Sequence, residues 1–413
     1  MQINKQSFFN LSLRGLSMGA RFLLIFCLGK YFSIEDLGLY GIFYTTVTLG
    51  ILALGLDFYT FSNREILYAK NEDKLSILRN QLLFYGLTYV CFLLPMLLIF
   101  FYDVLPFKFI CFFYVILVLE HLSQEFYRIF IILSYPIFAN WLLFLRTAIW
   151  VFLLIVAYAI MQYNNYSLAP IFIGWIIGAG LSVLLGFIRI IKLFKGYSLK
   201  PIQLNWFISG IKVCSFYFFS TIALKIIESS NRYMIEYWCD LKSVGIFVFY
   251  SQIANMINVV IFTLFLMVIY PKLIIAVNDK NIIEFNHLKS YIMKKVLIYS
   301  ISLGLVLAAL IYPILFFINK NEYFYEIVTF YILVVSNIFL NISLVYHYIL
   351  YAFKKDFSLF ISTTIGAISS LIFNVILIKK FGIAGAATSL LLSYMILTIS
   401  KAIYSKMAEA NFE

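Results

Sequence analysis

Residues 169–190 read APIFIGWIIGAGLSVLLGFIRI, a stretch with no charged side chain before Arg189. About 20 such residues, rising 1.5 Å each as a helix, cross the roughly 30 Å hydrocarbon core of a bilayer. A helix also satisfies its own backbone N–H and C=O groups, which lipid cannot do. Runs of this kind recur outward in both directions, near 9–30, 38–60, 80–101, 107–133, 137–161, 169–190, 212–234, 243–270, 293–318, 325–352, 357–378 and 382–404. The 413 residues are 63% hydrophobic and 12% charged, and the mean hydropathy is +0.97. A soluble protein carries about a quarter charged residues. The short alternating segments of a membrane β-barrel are absent. The sequence therefore predicts an all-α membrane protein with about twelve transmembrane helices.

The first 30 residues have the look of a secretory signal, but Arg14 and Arg21 interrupt the apolar run and no small-residue cleavage site follows. They read as a retained first span. Cys27, Cys91, Cys111, Cys214 and Cys239 are scattered over apolar segments without a CxxC pair, so packing is their expected role.

The net charge of +12 sits mostly in short connections. Most lysines and arginines, from Lys70 and Lys74 through Lys192, Lys195 and Lys200 to Lys354, Lys355, Lys401 and Lys406, fall on the side of the N-terminus. Lys30, Lys108, Lys242, Lys320, Lys379 and Lys380 fall opposite. The positive-inside rule then puts both termini in the cytoplasm and explains the charge better than a nucleic-acid partner does. The longest connection is basic and contains Pro201, and it divides the spans six and six. The expected organisation is a six-helix half at 1–190, a cytoplasmic linker at 191–211 and a second six-helix half at 212–413. GKYFSIEDLGLYGIFY (29–44) is echoed by EYWCDLKSVGIFVFY (236–250), each a polar turn followed by a glycine, Gly38 or Gly245. Repeats of like orientation are related by an axis along the membrane normal and place a site at their interface. Residues 63–79 and 273–291 mix apolar and charged positions as interfacial amphipathic helices do.

A charge at the bilayer centre costs roughly 2.5 to 3.5 kcal/mol even on a lenient insertion scale, so the charged residues inside spans call for an explanation. In ALKIIESSNRYMIEYW (223–238), Lys225, Glu228 and Arg232 stand at offsets that put them within about 60° of one another on a helix. Glu120, His121, Gln124, Glu125 and Arg128 occupy less than half the circumference of the fourth span. Arg14 and Arg21 share a face of the first, Arg146 lies in the fifth, and Asp57 closes the second. Arg14, Arg128 and Arg232 are near enough to an interface to snorkel. Arg21, Glu120, Arg146, Lys225 and Glu228 have apolar residues on both sides. Two readings stay open. Either the charges pair inside the bundle and fix helix register, with Glu228 between Lys225 and Arg232, or they line a central cavity. In the second case the excess of cations suits an anionic ligand, above all a phosphate or pyrophosphate.

His121, His287 and His347 are far apart in sequence, and HExxH, P-loop and GxSxG patterns are absent. No enzyme activity, cofactor or metal is expected. GIAGAATSLLLSY (382–394) offers small residues at helical spacing, a seam for close helix packing.

Several stretches together carry a resemblance: YFSIEDLGLYGIFY, LGLDFYTFSNREI, EHLSQEFYRIF followed by ANWLLFLRTAIW, ALKIIESSNRYMIEYW with VGIFVFYSQIAN, YPKL, YILYAFKKD, and KKFGIAGAATSLLLSY. In this order, over nearly the whole length, the chain resembles the Wzx-type polysaccharide flippases of the multidrug/oligosaccharidyl-lipid/polysaccharide exporter superfamily. The resemblance implies two six-helix bundles around a central cavity. It also implies transfer of an undecaprenyl-pyrophosphate-linked oligosaccharide, such as an O-antigen or capsule repeat unit, from the cytoplasmic to the periplasmic leaflet of a bacterial inner membrane. Arg21, Arg146, Lys225 and Arg232, with Arg14 and Arg128, are then the expected substrate-binding residues. Asp57, Glu120, His121, Glu125 and Glu228 are the expected coupling or charge-balancing residues. The implied partners are the lipid-linked oligosaccharide, membrane lipids and other polysaccharide-assembly proteins. Many relatives have aspartate directly before the arginine of the seventh span, where this chain has Asn231, which shifts the acidic role to Glu228. Two rivals are a cation-coupled multidrug antiporter, whose usual acidic residue in the first span is missing, and a membrane-embedded glycan polymerase or ligase, which needs a large extracytoplasmic loop. Lipid II flippases have fourteen spans against about twelve here.

Overall fold

The computed structural model describes residues 5–161 and 166–410, which are helical almost throughout and contain no strand. The first helices are α1 (Lys5–Tyr31), α2 (Ile34–Gly55), α3 (Tyr59–Tyr68), α4 (Asn71–Leu93), α5 (Leu98–Phe101), α6 (Ile110–Ile132), α7 (Pro136–Phe144), α8 (Trp150–Met161) and α9 (Ala169–Leu193). After them come α10 (Leu204–Trp238), α11 (Leu241–Ala254), α12 (Met256–Ile261), α13 (Met267–Asn278), α14 (Ile282–Ile318), α15 (Asn321–Tyr325), α16 (Ile327–Ala352) and α17 (Asp356–Ala410). Among the described residues ten helical segments are long and apolar enough to cross a membrane. The bent pair α4 and α5 supplies an eleventh. The break of α17 at Gly382 supplies a twelfth. The chain is a multi-pass, all-α membrane protein.

The breaks have local causes. Pro95 lacks the N–H that would continue α4, and the following segment turns away by 41°. Gly382 adopts φ 56° and ψ −134°, a conformation essentially reserved for glycine. The two limbs of α17 then close on each other, and a Cβ on Gly385 would collide with the Leu377 carbonyl. Ser389 Oγ donates to the Ser370 carbonyl at 3.4 Å, so the small-residue run 382–394 is a packing seam between these limbs.

The described residues form two compact units, one within Met1–Phe32 and Ile42–Phe218, the other within Ser33–Gly41 and Phe219–Glu413. The boundary falls inside α10. In the first unit, Phe58 stacks on Phe84 at 3.8 Å and Trp206 packs edge-on against Phe58. The connection from α9 to α10 is tied to α4: the Lys200 N–H donates to Ser76 Oγ at 2.9 Å, and the Lys200 ammonium pairs with Asp73. In the second unit the two echoed segments meet each other. A Cβ on Gly38 would strike the Leu241 carbonyl, and one on Gly245 would strike the Ile34 carbonyl. The contact is reciprocal, as two copies of one motif facing across an axis require. Beyond it, Lys242 pairs with Glu322 at 3.1 Å.

Three details differ from the sequence reading. Residues 63–79 straddle the junction of α3 and α4, and 273–291 straddle that of α13 and α14, so neither is a separate interfacial helix. The second junction is a cap: the Glu284 N–H donates to Asn281 Oδ1 at 3.0 Å. Charges gathered around a helix break mimic an amphipathic period. Lys401, expected among the cytoplasmic connections, is 2% exposed within α17.

Candidate functional site

The first unit gathers its polar side chains around α6. Helical spacing brings Glu120, Gln124 and Tyr127 onto one strip of α6, with His121, Glu125 and Arg128 beside it. Glu120 is buried and accepts from Trp175 Nε1 at 3.0 Å and from Gln124 Nε2 at 3.3 Å. Its remaining charge faces Arg146 Nε at 3.5 Å. Both side chains of this pair are nearly inaccessible, 7% exposed for Arg146 and 8% for Glu120.

Arg146 sits in a turn of π-helix, Leu145–Ile149, inserted between α7 and α8. Such one-turn widenings are rare and recur at functional sites. Trp150 supports this one by donating its indole N–H to the Arg146 carbonyl at 2.8 Å. Gly178 lets α9 pass alongside, since a Cβ there would lie 2.7 Å from the Leu145 carbonyl. The result is a guanidinium whose Nη1 is buried with no hydrogen-bond partner among the described residues. It has donor capacity left for an anion or water.

Glu125 anchors the second cluster. It accepts from Gln81 Nε2 at 2.9 Å, from the Tyr85 hydroxyl at 2.7 Å, and from Arg128. The Arg128 guanidinium lies over the Tyr59 ring at 3.7 Å, which leaves it half-buried but fixed. His121 Nδ1 is hydrogen-bonded to the Tyr89 hydroxyl at 2.6 Å, its ring is edge-on to Tyr85, and its Nε2 faces Gly55 without a hydrogen-bond partner among the described residues. A third cluster joins α1 to α6 and α7: Arg14 donates to Asn140 Oδ1 and to the Tyr127 hydroxyl, each at 3.0 Å. Arg21 is exposed on α1, within electrostatic reach of Arg146. Asp57 is buried in the left-handed turn that ends α2.

Eight of the eleven expected site residues thus belong to the first unit: Arg14, Arg21, Asp57, Glu120, His121, Glu125, Arg128 and Arg146. Four arginines there stand against two glutamates on α6. The other three, Lys225, Glu228 and Arg232, lie on the part of α10 in the second unit. Lys225 donates to Glu228 at 2.6 Å, with Glu228 exposed and Arg232 half-buried. The neighbouring Ser230 accepts from Asn374 Nδ2 at 3.0 Å, and Asn231 is buried. Sequence reasoning missed Gln81, Tyr85, Tyr89, Trp175, Tyr127 and Asn140. The spacing of Gln81, Tyr85 and Thr88 marks a polar face on α4, but neutral side chains raise no alarm in an apolar run.

No family model and no curated protein matches the sequence significantly. Solved structures do match. An inward-facing multidrug-resistance transporter of the MATE family, of the MOP superfamily, superposes with a TM-score of 0.74 at 13% identity, covering 97% of this chain and 95% of the other. The lipid II flippase MurJ in an inward closed conformation gives 0.74 at 18% identity, covering 97% and 88%. A Vibrio cholerae MATE transporter gives 0.67 at 14% identity, covering 98% of each chain. The likeness is one of fold. It extends over nearly the whole of this chain, with the chain's own charges laid on a shared scaffold.

Proposed function

We propose that the chain is a flippase for a lipid-linked oligosaccharide with an anionic head group, of the undecaprenyl-pyrophosphate class, such as an O-antigen or capsule repeat unit. It carries the substrate from the cytoplasmic to the periplasmic leaflet of a bacterial inner membrane, with both its termini cytoplasmic. In this reading the halves 1–190 and 212–413, joined by the basic linker 191–211, rock about a central site. Arg21, Arg146, Lys225 and Arg232, aided by Arg14 and Arg128, hold the pyrophosphate, and the prenyl tail stays in lipid. Asp57, Glu120, His121, Glu125 and Glu228 balance these cations between substrates. The observation that carries the reading is Arg146: a guanidinium held in a π turn, paired on one side to Glu120, with Nη1 buried and without a hydrogen-bond partner among the described residues. Guanidinium is the group best matched to phosphate oxygens. A head group with two negative charges moving outward gains about 2.3 kcal/mol per charge per 100 mV of interior-negative potential, a driving force that needs no second ion.

A second reading, a cation-coupled multidrug antiporter, draws support from the buried Glu125–Tyr85–Gln81 network and the MATE scaffold. The two make opposite predictions for the same protein. Purified into lipid nanodiscs, the flippase binds undecaprenyl pyrophosphate more tightly than undecaprenyl phosphate, and Arg146→Gln weakens that preference. An antiporter binds a lipophilic cation such as a quaternary ammonium dye and ignores the pyrophosphate, which would remove the first reading.

A further inference from the structure

Helix α14 carries two lysines with no place in the substrate site, and composition fixes their level along the helix. From Val296 to Ile318 it has no charged side chain. That run is about 35 Å long as a helix, close to the roughly 30 Å of hydrocarbon in a bilayer. Lys294 and Lys295 stand immediately before it, where the apolar interior gives way to lipid head groups. At helical spacing Tyr291, Lys294, Ile298 and Leu305 fall within about 60° of one another, with Lys295 about 40° to the other side of Tyr291. Tyr291, Lys294, Ile298 and Leu305 are all exposed. Exposed isoleucine and leucine within the apolar run mark this as the lipid side of α14, and the lysines prolong that side to its charged border.

The lysine pair is held in place. Lys295 Nζ lies 5.6 Å from the ring centroid of Tyr291, one turn before it, and 5.6 Å from that of Tyr299, one turn after. Phe265 of α13 braces Tyr299, ring to ring at 4.7 Å. Attraction to the two ring faces restrains an ammonium that would otherwise swing out to water. Lys294 is exposed beside it, while Lys295 is half-buried. No carboxylate among the described residues lies within ion-pair distance of either ammonium. Glu284, the acidic residue of α14, stands about three turns back in the first turn of the helix and is engaged by Asn281. Tyr291 and Tyr299 are 45% and 40% exposed, amphipathic rings of the kind that settle at head-group level.

We propose that this strip of the second unit is a docking site for an anionic diacyl phospholipid. Its phosphate meets Lys294 and Lys295, and its acyl chains run along Ile298 and Leu305. Two features together select that occupant. Unspent positive charge at head-group level favours a phosphate, and the apolar strip that continues directly from it favours a phosphate carried on acyl chains. A zwitterionic lipid is the poorer ligand, because its own ammonium competes with the lysines. In the orientation proposed above the site faces the cytoplasmic leaflet. It lies outside the arginine-rich cluster of the first unit and is independent of the substrate assigned there.

The test uses the full chain in mixed micelles, with phosphatidylglycerol or phosphatidylcholine of matched acyl chains added and the melting temperature read. A lipid that binds the folded state stabilises it by mass action, so phosphatidylglycerol is expected to raise the melting temperature more than phosphatidylcholine does. Lys294→Gln with Lys295→Gln is expected to remove most of that difference and leave the phosphatidylcholine value unchanged. Lys294→Arg with Lys295→Arg is expected to keep it. Lys379→Gln with Lys380→Gln, an exposed pair elsewhere on the unit, controls for net charge. An equal loss in that control, or a difference that survives Lys294→Gln with Lys295→Gln, would overturn the proposal. So would a gain reproduced by soluble glycerol phosphate, which would mean a site for free phosphate. A lysine-dependent gain confined to undecaprenyl pyrophosphate would overturn it too, by making the strip part of the substrate's path. If the double glutamine variant does not fold, Tyr291→Leu keeps both lysines and releases Lys295. Native mass spectrometry is then expected to find fewer phosphatidylglycerol molecules retained than on the wild type, and an unchanged number would refute the site.

Discussion

Glu120→Gln separates a charge pair that merely holds helices together from one that also serves a ligand. The substitution keeps the shape and an acceptor for Trp175, and it removes the charge 3.5 Å from Arg146. Both side chains are under a tenth exposed, so the guanidinium is left as an uncompensated buried cation, a loss of about 3–5 kcal/mol. Replacing both charges together, as Glu120→Gln with Arg146→Met, removes that penalty. Buried pairs exchanged for neutral groups of similar volume are often close to neutral in stability. Most of the loss is therefore expected to return in the double variant, read by equilibrium unfolding in mixed micelles. Transport is not expected to return, because the donor for the pyrophosphate is gone. A double variant as unstable as the single one would refute the coupling of the two residues. A stable double variant that moves substrate at the wild-type rate would show that the pair fixes register and nothing more.

Gly245→Ala should lower stability by about 1–3 kcal/mol, since its Cβ meets the Ile34 backbone and neither helix can yield cheaply. Gly86→Ala on α4, with open space around it, should instead stabilise by up to about 1 kcal/mol through helix propensity, and melting curves of the two distinguish packing from propensity. Trp150→Phe removes the indole donor to the Arg146 carbonyl and should cost about 0.5–1.5 kcal/mol by the same unfolding measurement, with a matching fall in substrate affinity. The Glu322 carboxyl is held below its ordinary value by its own backbone N–H and by Lys242, so the stability it adds is complete at neutral pH and fades as acid protonates the folded state. Glu322→Gln should flatten the acid limb of the melting temperature against pH and leave the neutral plateau unchanged in shape.

Much of the helix inventory was legible in the sequence because lipid imposes a length and forbids unpaired backbone, so each span announces itself. Residues 357–378 and 382–404 separated cleanly at Gly382, and the echo around Gly38 and Gly245 turned out to be a physical contact. The site was legible only in its charges. Glu120, Glu125, Arg128 and Arg146 stood out because an ion in lipid demands a reason, but their partners Trp175, Tyr85 and Gln81 are neutral and look like ordinary membrane residues. The π turn at Leu145–Ile149 has no local sequence signal, because it depends on the Trp150 indole and on α9 passing at Gly178. Lys401 was misplaced for a related reason: counting lysines by loop treats every cation near a span end as solvated, and burial of this one is decided by the neighbouring α16.

Deleting the gene in its host and assaying which leaflet holds the lipid-linked repeat units tests the proposed transport most directly. Cytoplasmic-leaflet accumulation on deletion, cleared by a wild-type copy and not by Arg146→Gln at equal protein level, is the predicted result. Normal leaflet distribution in the deletion strain, or full clearance by Arg146→Gln, would contradict it.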